Sequence, residues 1–172
     1  MKLKLKDIVV LSLLAAIMAA SDFLMDFLPN IHLVGVLCVV TTIAYRKYAL
    51  FTIYVYVLIQ GVVGGFSLWW IPYLYIWTVL WGCVMLVPQR LPQKSKHILY
   101  VAICALHGFL FGTLYAPAQA IMFGLDFKGM IAWIVAGLPY DAIHGVSNLV
   151  LGSALIYPIV KILKHTNKYT KN

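Results

Sequence analysis

The feature that most constrains this chain is a succession of long apolar runs separated only by short polar or proline-containing joints. A bilayer offers no partner to backbone N–H and C=O groups, so an apolar run of about 20 residues is read as a helix that satisfies them internally. The joints predict an all-α membrane bundle forming a single domain over 1–172, with six transmembrane helices at 8–27, 33–45, 48–65, 71–87, 98–123 and 138–163. Leu28-Pro29-Asn30 closes the first, Arg46-Lys47 the short second, Gly64-Gly65 the third and Pro88 the fourth. Pro117 is expected to kink the fifth. The last apolar stretch, 130–163, is too long for one span at about 1.5 Å per residue. Gly137 and Pro139 suggest a re-entrant or interfacial piece before a sixth helix that starts near Leu138.

Composition agrees. The 172 residues are 63% hydrophobic and 10% charged, with no Glu and five Asp, against about 25% charged in a soluble domain. The start, Met-Lys-Leu-Lys-Leu-Lys-Asp, resembles a signal-peptide n-region, but no cleavage site follows the apolar stretch, so a retained helix is expected. Cys38, Cys83 and Cys104 have no metal-ligand or disulfide spacing and read as buried, inert thiols.

Alternating sides along six helices puts Lys2, Lys4, Lys6, Arg46, Lys47, Arg90, Lys94, Lys96, Lys161, Lys164, Lys168 and Lys171 together, with Lys128 alone opposite. Basic residues mark the cytoplasmic side, so both termini are expected there. The net charge of +8 therefore reflects orientation, and no nucleic-acid partner is implied. The outer side gathers Asp22, Asp26, Asn30 and His32 at the first loop, the aromatic segment 66–77 at the second, and Asp126 and Lys128 at the third.

Ionisable residues within a membrane helix are costly and point to a functional site by default. Asp141, His144 and Asn148 fall within an arc of about 60° at 100° per residue. They either face a ligand from the outer half of the last helix, or Asp141 and His144 satisfy each other while Asn148 joins helices. His107, mid-helix, can serve a substrate or a neighbouring carbonyl, and Gln119 is a weaker candidate of the same kind. Trp69, Trp70, Tyr73, Tyr75 and Trp77 lie within nine residues; they form an interfacial belt or stack on a flat heterocycle. Ala15/Ala19 and Ala16/Ala20 have the small-xxx-small spacing that lets another helix approach, within the chain or from a partner. Gly61, Gly64 and Gly65 read as close packing or as a turn. No protease, hydrolase or nucleotide-binding signature occurs, so no catalytic residue, metal ligand or cofactor is assigned and the chain is not expected to use ATP.

The chain length, the six helices with both ends inside, the alanine pairs and the stretch Asp141-xx-His144-xxx-Asn148 together resemble the substrate-binding S components of energy-coupling factor (ECF) vitamin transporters, over essentially the whole chain. The resemblance implies a bacterial plasma-membrane protein working with a transmembrane T component and two cytoplasmic ATPases, and delivering substrate by tilting in the membrane. It implies that Ala15, Ala16, Ala19 and Ala20 contact the T component. It also implies that Asp141, His144 and Asn148 line the ligand site, with Trp69, Trp70 and Tyr73 in the loop before helix four; His107 and Trp77 join them as candidates from their own positions in the sequence. With an Asp, two His and an Asn but no Lys or Arg in the predicted interior, a carboxylate ligand lacks its natural partner. A flat neutral or cationic heterocycle suits it better, such as thiamine, its pyrimidine precursor, a B6 vitamer or a nucleobase-like compound. An autonomous ion-coupled transporter using Asp141 and His144 as a proton relay, or a membrane scaffold, are the alternatives.

Overall fold

The computed structural model describes residues 5–169, with the side chains of 166–169 outside the described set. Lys2, Lys4, Lys171 and the Lys168 side chain therefore lie outside the described residues. The described chain is all-helical: α1 (Leu5–Met25), α2 (Val34–Tyr45), α3 (Ala49–Gly64), α4 (Tyr73–Leu86), α5 (Gln93–Phe109), α6 (Phe111–Phe123) and α7 (Phe127–Tyr169), with single 3-10 turns at Arg46–Tyr48 and Leu68–Trp70. Five helical stretches are long and apolar enough to cross a membrane: Leu5–Met25, Val34–Gly64, Leu68–Leu86, Gln93–Phe123 and Phe127–His165.

The second of these stretches folds back on itself. Arg46 takes φ 53°, ψ −123°, and the hydrogen bonds fix the directions on either side of it. The Thr52 hydroxyl donates to the Leu11 carbonyl and the Tyr56 hydroxyl to Asp22, so α1 and α3 run parallel. Trp70 Nε1 donates to the Val57 carbonyl and Trp81 Nε1 to that of Arg46, so α4 returns antiparallel to α3. The Cys38 thiol against the Trp77 carbonyl aligns α2 with α4. His107 beside the Ile76 carbonyl, and the Tyr75 hydroxyl on the Leu114 carbonyl, set α5 and α6 antiparallel to α4. Asn148 on the Cys104 carbonyl, with the Gly112 N–H on Asp141, sets α7 antiparallel to α5 and α6. These directions bring Lys6, the Arg46–Lys47 turn, Arg90, Lys94, Lys96, Lys161 and Lys164 to one end of the bundle, and Lys128 to the other.

Two sequence expectations are corrected. The fifth helix is divided at Leu110 (φ −106°, ψ 7°), where the sequence indicated no break; Pro117 lies inside α6. The break falls between Gly108 and Gly112, where a carboxylate from α7 takes the Gly112 amide and so supplies a partner outside the helix. The last stretch does not divide into a re-entrant piece and a helix from Leu138: α7 is one helix of 43 residues containing Pro139 and Pro158. A proline removes one helical hydrogen bond, and packing outweighs that loss here. Trp133, before Pro139, stacks on Tyr115 at 5.7 Å between ring centroids. Beyond Pro139, Gly145 lies backbone to backbone with Gly108 of α5. A third expectation changes in part: Cys38 and Cys104 are buried, but Cys83 is exposed.

The short helix is the central one. Ten of the twelve residues of α2 are buried, including the unbroken run Val34 to Thr42. They pack against Leu11, Ala15 and Met18 of α1, Ile53, Tyr56 and Val57 of α3, and Trp77, Leu80 and Val84 of α4. At about 1.5 Å per residue α2 spans roughly 18 Å, well short of a bilayer's hydrocarbon core of about 30 Å. The remaining length beside the neighbouring helices is taken by the loop from Asp26 to Leu33 and by a cavity beneath it.

Candidate functional site

Past the end of α1, N–H bonds from Leu28 to the Met25 carbonyl and from Ile31 to that of Leu28 wind the chain into tight turns. Asn30 lies in the left-handed region at φ 58°, a conformation asparagine tolerates better than most side chains. Ser147 Oγ donates to the Asn30 carbonyl at 3.3 Å, which ties this turn to α7. The next residues are thereby directed inward, and His32 enters the bundle at the start of α2.

The cavity under this loop has a volume of about 250 Å³, with Asp22, Asp26, Asn30 and His32 on one side and Tyr73, Phe111 and His144 on the other. His32 meets His144 edge to face at 4.6 Å, and Phe111 lies 5.1 Å from His144 and 6.4 Å from Tyr73. Trp77 and His107 form the layer behind: Trp77 stands 6.2 Å from His32 and 5.5 Å from His107. Residues from the loop, α4, α5, α6 and α7 thus make one box of aromatic and imidazole rings.

The chemistry of that box lies in its unused hydrogen-bonding atoms. His32 Nδ1, Trp77 Nε1, His107 Nδ1 and His144 Nε2 are all buried without a protein hydrogen-bond partner. Trp77 is 1% exposed and His144 2%. His107 Nε2 faces the Ile76 carbonyl at 3.2 Å; with the proton on that nitrogen, Nδ1 is left as an acceptor. The indole N–H can only donate. Each buried group left unpaired costs about 1–3 kcal/mol, and two of them on the cavity wall, His32 Nδ1 and His144 Nε2, with two more in the layer behind, form a ready set of donors and acceptors. Burial also pushes the His32 imidazole below its usual range, opposed by the nearby Asp22 charge.

The last helix distributes its polar residues differently from a simple ligand stripe. His144 borders the cavity. Asp141 holds the Gly112 N–H, at 2.9 Å from Oδ1 and 3.1 Å from Oδ2, and so occupies the first turn of α6. Neither the cavity nor His144 receives that carboxylate. Asn148 is fully buried; its Nδ2 donates to the Cys104 carbonyl at 3.2 Å and the amide group lies against Gly35 and Gly108, joining α2, α5 and α7.

The aromatic segment also divides. Tyr73 and Trp77 belong to the box. Trp70 donates to the Val57 carbonyl at 2.7 Å and packs on Phe66, while Trp69 packs on Tyr73 and offers its carbonyl to the Tyr115 hydroxyl. These two tryptophans fasten the head of α4 to α3 and α6, and neither borders the cavity. Gln119 is half-buried on α6, away from it.

Asp22 and His32 stood out in the sequence only as outer-loop polar residues, and Phe111 not at all. Tyr56 and Gln60 were hidden inside an apolar run, yet both reach the Asp22 Oδ2 atom from α3. Spacing along one helix shows such partners only when they share that helix.

The alanine pairs separate by face. Ala15 is buried and Ala19 half-buried toward α3, whereas Ala16 and Ala20 are exposed. Among the described residues, no group of three or more His, Cys, Asp or Glu side chains is arranged to hold a metal ion. In comparisons with protein-family models, curated proteins and solved structures, the chain matches none.

Proposed function

We propose that this chain is the substrate-binding membrane subunit of an importer of the ECF type, taking up a water-soluble flat heterocycle, neutral or cationic. The observation that carries the reading is the cavity beneath the loop before α2, where His32 Nδ1 and His144 Nε2 of its lining lack protein partners, with Trp77 Nε1 and His107 Nδ1 unpartnered in the layer behind. A ligand with ring acceptors and N–H donors satisfies them, and rings on two sides match a flat shape. The cavity lining holds two aspartates and no Lys or Arg, which favours a cation or a neutral molecule over a carboxylate.

In this reading the chain crosses a bacterial plasma membrane six times, α2 and α3 counting separately and α5 with α6 as one, with both termini cytoplasmic. The cluster of basic residues at one end of the bundle supports that orientation. The T component and its two ATPases dock on the exposed face carrying Ala16 and Ala20, with Ala15 and Ala19 serving internal packing. An autonomous ion-coupled carrier is less well supported, because its proton relay needs Asp141, whose oxygens are engaged by the Gly112 amide.

Native mass spectrometry of the purified protein, coupled to identification of small molecules released on denaturation, tests the reading. A heterocycle should be retained by the wild type and lost from His144→Ala and Trp77→Phe, both still folded. Retention of a polycarboxylate, or equal retention by all three proteins, would overturn the site.

A further inference from the structure

Asp22 and Asp26 each border two spaces. On the inner side they face the 250 Å³ cavity of the ring box. On the other they edge an open groove of about 580 Å³ between α1 and α3, walled by Ala19, Phe23, Ile59 and Val63. The Tyr56 hydroxyl and Gln60 Nε2 donate to Asp22 Oδ2, and both bonds leave Oδ1 aside. The carboxylate is thus held in place by α3 at the junction of the two spaces, with one oxygen still able to accept. His144, 2% exposed and with an unpartnered Nε2, marks the opposite wall of the inner cavity.

Size and charge point the same way. Ligand pockets commonly measure about 300–1,000 Å³, so the inner cavity alone falls below that range and the cavity with its groove falls within it. The junction carries two acidic side chains, while the groove beyond it is mainly apolar. A protonated amine suits the first and an aliphatic arm the second.

We propose that the ligand of this site is bipartite: a flat heterocycle seated among the rings, joined through a protonated amine at Asp22 and Asp26 to an apolar arm lying between α1 and α3. This rests on the heterocycle-binding reading above and adds to it the charge and shape of the rest of the molecule.

Calorimetric titration of the full chain in lipid nanodiscs with three probes tests it. The probes are 4-amino-2-methylpyrimidine, its 5-aminomethyl derivative, and that amine carrying an N-butyl group. Affinity should rise at least tenfold from the first probe to the second, and several-fold again to the third. Asp22→Asn should remove most of the gain from the amine, read within the variant as the ratio of the second probe's affinity to the first's. Asp26→Asn, at an exposed position, should remove a smaller part of that gain and serves where Asp22→Asn does not fold. Val63→Trp should cancel only the butyl increment. Three probes of equal affinity, or an amine gain untouched by both aspartate changes, would overturn the bipartite ligand and leave the heterocycle site standing. Failure of all three probes to bind would sink both readings.

Discussion

The imidazoles of His32 and His144 meet edge to face at 4.6 Å, one from the turn that precedes α2 and the other from the middle of α7. Each keeps one ring nitrogen buried and without a protein partner. Two polar rings brought together in this way do not satisfy each other, and the neighbouring Trp77 and His107 add two more unused atoms.

That arrangement makes Trp77→Phe informative. The change deletes an unpaired buried donor along with part of a ring, and the two effects on stability oppose each other. Unfolding in detergent should shift by less than about 1.5 kcal/mol, while affinity for the retained small molecule falls at least tenfold. A large loss of stability with unchanged affinity would assign the indole to packing alone.

Asp141 should behave in the opposite way. In Asp141→Ala the Gly112 N–H at the start of α6 loses both acceptor oxygens, and leaving a buried donor unpaired costs about 1–3 kcal/mol. Stability should fall by that amount while affinity, measured on the folded fraction, changes less than threefold. Asp141→Asn, which keeps one carbonyl oxygen, should recover most of the loss.

At Gly108 an added Cβ would come within 2.9 Å of the Gly145 backbone and 2.8 Å of the Asn148 amide. Backbone cannot yield as a flexible side chain does, so Gly108→Ala should force α5 from α7 and destabilise by about 1–3 kcal/mol. Gly82→Ala, where nothing lies within 4 Å, is the matched control and should be neutral or slightly stabilising because alanine favours helix. Thermal unfolding of the pair measures the difference.

The alanine faces separate partner docking from folding. Ala16→Leu with Ala20→Leu should leave unfolding and the affinity for a neutral heterocycle without an arm unchanged, since Ala20 lines only the α1–α3 groove, and should abolish co-purification of the T component and ATPases proposed above. Ala15→Leu, at a buried position, should instead destabilise by about 1–3 kcal/mol through overpacking. Equal capture by wild type and the double variant would remove that face from the docking surface.

The lowered His32 pKa fixes the sign of a pH effect. Below its ordinary value of 6.5 the unfolded chain takes up a proton that the folded state resists, so stability from the neutral imidazole is complete above that value and declines as pH falls toward the lower folded-state value. Denaturant titrations should show stability dropping on acidification from pH 7 to pH 5, with a smaller drop in His32→Gln. A drop of the same size in both would place the titrating group elsewhere.

Much of the architecture was legible in advance because a lipid-facing helix needs an apolar run of a certain length, and runs and breaks are local. The boundaries of α2, α3 and α4 lie within about two residues of those that the joints at Arg46-Lys47, Gly64-Gly65 and Pro88 indicate. Where Gly137 and Pro139 suggested a division the reading failed: both lie inside α7, since neighbouring helices compensate for one missing bond. The break at Leu110 went unread because its cause, Asp141, is on another helix.

The polar residues show the same division. Their sequence positions marked Asp141, His144 and Asn148 as a unit on one helical arc, and Trp69, Trp70, Tyr73 and Trp77 as another. The fold gave the members separate tasks: a helix-capping carboxylate, a cavity wall, an interhelical bond, two fastening indoles and two ring-box members. By itself the sequence determined that this is a bundle of apolar helices with its basic residues segregated, because those properties follow from hydropathy and period along the chain. Only the tertiary structure decided that the shortest helix stands at the centre with a cavity over its end, and that His32 meets His144 there. Those facts depend on which surfaces pack together, and packing is set between helices.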